Sequence, residues 1–167
     1  MESIAFNPPT TMNFANVNLT LPSTSLYSTT VTSSCSFKGK AGTALTAQTT
    51  QATPTTDGVT GAAFVALAAN QATVLVFGVS SGGAIKMCQG SIVDTDVGVT
   101  TTAGAFRLYP QFPTLPDSIC PVAYALVRTS PTGSSFTAGT TQWAASGITT
   151  STVVNILGGL PDRPQSS

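Results

Sequence analysis

The sequence predicts an all-β fold: a single-domain antiparallel sandwich, jelly roll or small barrel, preceded by an extended N-terminal arm. Three observations lead there. Short runs rich in Val, Ile, Thr and Phe recur about every ten residues, separated by Gly, Pro, Ser, Asn and Asp. The two strongest runs, "TVLVF" from Thr73 and "ICPVAYALVR" from Ile119, are dense in β-branched residues and bounded by glycine or proline. A chain of 167 residues suits one domain, and at that size roughly two-thirds of the unfolded surface is buried on folding, enough for a core without metals or cross-links. The division read from these features is an arm over 1–22, a β domain over 23–160 and a tail over 161–167.

Taken in order, the arm holds Phe6, Met12 and Phe14 among prolines and asparagines. Apolar side chains in such a leader need a cover, either their own domain or another polypeptide. Val17, Leu19 and Leu21 alternate with Asn18 and Thr20, the period of a half-buried strand, which Pro22 ends. Residues 26–37 read as one longer strand. Residues 39–58 are low in complexity, rich in Ala, Thr and Gln, and close on an Asp57-Gly58 turn, so an exposed ribbon or long loop is expected. Residues 62–69, 72–79 and 84–93 are expected as strands, the last two joined by "SSGG", whose glycines suit the positive φ of a hairpin turn. Pro110, Pro113 and Pro116 mark an irregular crossing. Residues 119–128 form the next strand, with Pro121 near its start, where a missing N–H is tolerated. After a turn-rich stretch, residues 148–157 read as the closing strand.

Composition excludes several function classes. Only 7% of residues are charged, six of each sign and no histidine, against about 25% in an average domain. Serine and threonine exceed a quarter of the chain, so hydroxyls supply most surface polarity. Such a surface lacks the clustered Lys and Arg that bind nucleic acid by displacing counterions, and it suits being covered by other protein. No apolar run approaches the ~18 residues of a membrane span. "MESIAFNPPT" has no basic n-region, so it does not read as a secretory signal, and synthesis in a cytoplasm is expected; the Asn18-Leu19-Thr20 sequon is then a chance match. Cys35, Cys88 and Cys120 are odd in number and lack C-x-x-C spacing, which argues against zinc or a disulfide framework and for small buried side chains. No cofactor and no metal is expected.

The candidate chemistry is thin. Gly78-Val79-Ser80-Ser81-Gly82 spells the G-x-S-x-G nucleophile elbow, in which a serine on a strand-to-helix turn gives its proton to a histidine. This chain has no histidine, and the residues after Ser80 read as a turn and a second strand, so a hairpin is the better reading. A serine hydrolase using Ser80, with Lys86 as the only imaginable base, is the remote alternative. Asp94-Thr95-Asp96-Val97-Gly98 begins like a calcium loop but lacks the third acidic ligand and the closing glutamate, leaving a solvated turn. Asp117 reads as a turn cap, and Asp162 with Arg163 as a local charge pair in the tail. Trp143, alone among small residues, is either a plug for the core or an interface anchor. The residues singled out for an interface are therefore Phe6, Met12, Phe14, Val17, Leu19, Trp143 and Arg163.

The hairpin "VSSGGAIKMCQG", the proline-marked crossing, "CPVAYALVR", "FTAGTTQWAASGIT" and the terminal "GLPDRPQ" together resemble small virion proteins of tailed bacteriophages. Among these the chain is most similar to capsid cement (decoration, or auxiliary capsid) proteins and head-fibre proteins, over about residues 62–165. The resemblance implies a non-enzymatic, β-rich homo-oligomer, a homotrimer before a homodimer. Its partner would be the major capsid protein, and its place the capsid surface of the virion. A head-fibre or tail-adaptor component is the alternative. The resemblance carries no catalytic residues.

Overall fold

The computed structural model describes residues 10–22, 24–133 and 135–165. Among these the chain forms β1 (Met12–Asn13), β2 (Leu19–Thr20), β3 (Leu26–Thr29), β4 (Cys35–Phe37), β5 (Lys40–Ala41), β6 (Gln48–Ala52), β7 (Gln71–Ser80), β8 (Ile85–Gln89), β9 (Val93–Asp94), β10 (Ile119–Thr129), β11 (Ile148–Thr150) and β12 (Val154–Asn155), with no helix. The fold is all-β. The strands pair antiparallel in three open sheets, ordered β1-β4-β5, β2-β3-β6 and β11-β10-β7-β8. In the third, β12 also pairs with β10 and β9 with β7. The sheets do not close into a barrel, and the arrangement is that of a sandwich.

β7 and β10 are long because their apolar runs are uninterrupted, and both are buried almost end to end. A half-buried strand would alternate; these do not, because each face of the central sheet has its own cover. On one face Leu75, Phe77, Val79, Ala123 and Val127 meet Val17, Leu19, Tyr27, Phe64, Phe136 and Trp143. On the other, Val74, Val76, Tyr124 and Leu126 meet Phe106, Phe112, Leu115 and Leu160 of the proline-marked crossing and the C-terminal segment. Each large side chain fully buried this way contributes about 1.5–3 kcal/mol relative to exposure. Pro121 stands opposite Gly78, the register slips between Pro121 and Ala123, and β12 joins β10 only from Ala123. The missing N–H thus falls where the ladder is already interrupted.

Several expected elements are corrected. Residues 26–37 are two strands, β3 and β4, in different sheets. They part at Ser33, whose N–H donates to Leu45 O and whose hydroxyl accepts from Leu45 N, both at 2.8 Å. Residues 62–69 are not a strand: they form the isolated bridges Thr56↔Ala63 and Leu67↔Phe136, Val65 is held at both main-chain groups by the Gln89 amide, and they bury Phe64 and Leu67 from an irregular path. The 84–93 strand breaks after β8, because Gly90 passes so close to Gln111 O and Val74 that a Cβ would lie 2.2 and 2.4 Å from them. Residues 148–157 split into β11 and β12, since the Ser151 side-chain oxygen accepts from Leu126 N at 2.9 Å in place of a main-chain carbonyl. The 39–58 ribbon is largely exposed along β6.

The part of the N-terminal arm that is described packs on its own domain. From Thr10 onward it is part of the domain: Asn13 exchanges two main-chain hydrogen bonds with Gly158, at 2.9 and 2.7 Å, and its buried amide donates to Ile156 O at 2.8 Å. The C-terminal segment is held too, with Gln165 N donating to the Tyr124 hydroxyl at 3.0 Å.

Candidate interaction surface

The hairpin that carries Ser80 explains each residue of its hydrolase-like string. Val79 pairs with Ile85, Ser80 N donates to Ala84 O, and Gly83 N donates back to Ser80 O at 2.9 Å. Gly83 sits at φ +81°, the left-handed residue that a three-residue hairpin loop places just before its second strand. Gly78 is glycine because the Ile119 side chain lies 2.5 Å from where its Cβ would stand. The Ser80 hydroxyl accepts from Ala84 N at 3.1 Å. Its chemistry is that of a turn, and Lys86 belongs to the following strand opposite Gly78. Two other acidic positions form surface ion pairs, Asp117 across the fold and not as the expected turn cap alone. Asp96 holds Arg107 at 2.7 Å, Asp117 pairs with Lys38, and among the described residues no three of His, Cys, Asp and Glu gather to hold a metal. The expected Asp162–Arg163 pair is absent from the ion pairs of the described residues.

One buried carboxylate could not be anticipated from local sequence. Asp57, expected only as a surface turn residue, is 7% exposed. One oxygen accepts from Val59 N and Thr60 N, each at 2.9 Å, and the other from Gln89 N at 2.7 Å. It ties the loop before residue 62 to the end of β8. The adjacent Asp-Gly pair was the visible sign, but nothing in sequence placed β8 above it.

The predicted interface residues divide. Val17 and Leu19 are buried in this chain's own core, which corrects their assignment to a contact with another polypeptide. Trp143, 3% exposed, is the plug: its indole N–H donates to Leu26 O at 3.0 Å and its ring packs on Phe136 at 5.6 Å. Phe6 lies outside the described residues. Arg163 is exposed near the C-terminus. Met12 and Phe14 are exposed, and the structure gives them a neighbour that sequence separation hid. Asn13 pairs antiparallel with Gly158, so Phe14 and Leu157 each flank the same bridge in sequence. Both are more than 60% exposed, at 62% and 63%. Met12 reaches toward Gly158, whose Cβ would meet the Met12 tip at 4.0 Å. A second apolar group, Val97, Val99, Leu108 and Tyr109, stands on the loop after β9, where the Arg128 guanidinium caps the Phe106 ring at 4.9 Å.

Beside Trp143 runs a groove of about 760 Å³ between residues 18–22 on one wall and 148–153 on the other, with no charged lining residue. Both walls are sheet edges: β2 pairs only with β3, and β11 only with β10. Gly147 O and Ser151 N bond toward β10, so by alternation the main chain of Thr150 faces the groove. At one end Asn155 acts as a strand would, its amide accepting from Leu19 N at 2.6 Å and donating to Leu19 O at 3.2 Å. Such a surface offers a polypeptide the main-chain edge of β11, and apolar contacts on exposed Phe, Leu and Val.

No family model matches the chain, and neither the curated proteins nor the solved structures give a significant match.

Proposed function

We propose that this chain is a non-enzymatic structural protein of a bacteriophage virion, which binds the outside of the capsid lattice and stabilises it by spanning neighbouring subunits. The observation that carries the reading is the exposure of Phe14 and Leu157, which flank the Asn13–Gly158 bridge, on a protein with few charged residues. Exposed apolar side chains of that size are costly to leave in water and gain when covered. The uncharged groove between β2 and β11 supports the same reading, because an edge-lined slot accepts an extended arm without desolvating charge. A clip that binds the expanded shell and not its precursor stabilises the expanded state by mass action.

The test is co-sedimentation of the purified chain with expanded shells of the major capsid protein. The wild type should pellet with shells, and the double variant Phe14→Ser, Leu157→Ser should keep its fold by circular dichroism yet stay in the supernatant. Equal pelleting of a folded double variant would exclude this patch as the contact. Binding to isolated tails instead of shells would favour a head-fibre or tail-adaptor role.

A further inference from the structure

We propose that Cys35 and Cys120 are the two halves of a disulfide that staples β4, in the β1-β4-β5 sheet, to the central strand β10 when the protein meets an oxidising environment. Register puts the two thiols on one side of the central sheet. Cys120 pairs with Val79, so the two side chains share a face. Val79 belongs to the core beneath the small sheets, and Cys35 packs against that same core. β4 lies against β10 and each thiol acts most strongly on the other's ionisation, while the Cys35 thiol also approaches Asn13 Oδ1 at 3.9 Å. Cys88 lies across the sheet: it pairs with Val76 and packs with Val74 and Leu126 in the opposite core. The odd count of three therefore resolves into a facing pair and a remainder.

The roles within the pair differ. Cys35 is half-buried and Cys120 fully buried, so an external disulfide reaches Cys35 first. Hydrogen bonds from the Cys120 thiol, and to a lesser degree from Ser33, hold Cys35 below its ordinary value against the opposing effect of burial. Cys120 is raised by its bond to Cys35 and by burial, which keeps it a thiol until Cys35 has reacted. With oxidised glutathione as oxidant, the Cys35 thiolate attacks one sulfur and expels a glutathione thiolate, which takes up a proton. Cys120 then loses its proton and attacks the Cys35 sulfur of the mixed disulfide, expelling the second glutathione. Two protein thiols are oxidised by two electrons and one glutathione disulfide is reduced to two thiols.

The experiment uses the full chain, reduced or equilibrated with oxidised glutathione, then capped with iodoacetamide in denaturant and mapped by mass spectrometry. The expected product is a linked peptide pair containing Cys35 and Cys120, lighter by two hydrogens, with Cys88 capped. Closing so long a loop should raise Tm on the order of 10 °C. Dithiothreitol should reverse the rise, Cys88→Ala should preserve it and Cys35→Ala should abolish it. A capped Cys120, a glutathione retained on Cys35, a bridge to Cys88, or a linked pair with unchanged Tm would each overturn the proposal. The peptide map is read on the wild type, so it holds even if a cysteine variant folds poorly.

Discussion

At the residue scale, two positions carry more than their sequence context suggests. Asp57 accepts three main-chain N–H groups from two separate segments, so Asp57→Ala leaves three part-buried donors without this partner. The expected loss is about 3 kcal/mol, read as a lower urea midpoint with an unchanged slope. Ser80 is the opposite case. Its hydroxyl makes one turn hydrogen bond, so Ser80→Ala should cost under about 1 kcal/mol, and a fluorophosphonate probe should label wild type and variant equally little. Selective labelling of Ser80 would reopen the hydrolase reading. Cysteine reactivity follows burial at this scale too. Burial, aided by the Asp57 charge, pushes the Cys88 thiol up to about 12, so near pH 8 it should remain protonated and resist iodoacetamide in the folded protein, while Cys35 is modified.

At the scale of elements, the long strands were legible, and so were the short β2 and β8, which fall inside expected strands, while the breaks between other short strands were not. β7 and β10 announce themselves because unbroken apolar runs need cover on both faces, and the glycine hairpin after Ser80 follows from local turn chemistry alone. The path of residues 62–69, and the parting of β3 from β4, depend on side-chain hydrogen bonds with distant partners, Ser33 with Leu45 among them. Local sequence carries no record of such partners. The same holds for the candidate interaction surface: Phe14 could be singled out, but that Leu157 neighbours the same Asn13–Gly158 bridge could not. Asn155 offers a direct check on how the groove is built, since its amide alone bridges β12 to the β2 main chain. Asn155→Leu should lower stability by about 1–2 kcal/mol and speed hydrogen exchange at the Leu19 amide more than elsewhere. Uniform acceleration across the chain would instead mean that Asn155 supports the whole core.

For the whole molecule, the central sheet with two apolar covers is a rigid support, and the interaction features lie at its margins. Exposed Phe14 and Leu157 flank the Asn13–Gly158 bridge, the groove opens along two sheet edges, and the loop after β9 adds further exposed valines and Leu108. With little charge to steer or repel, association would rest on apolar cover and strand pairing, so binding to shells should change little with ionic strength. Release of the protein by moderate salt would contradict a contact of this composition. Electron cryo-microscopy of virions produced from the genome that encodes this chain tests the account most directly. The expected map shows this fold on the outer shell between capsid subunits, with Phe14 and Leu157 covered by a neighbouring polypeptide. A map in which the fold is absent from the virion, or in which that pair faces open solvent in the assembled particle, would contradict it.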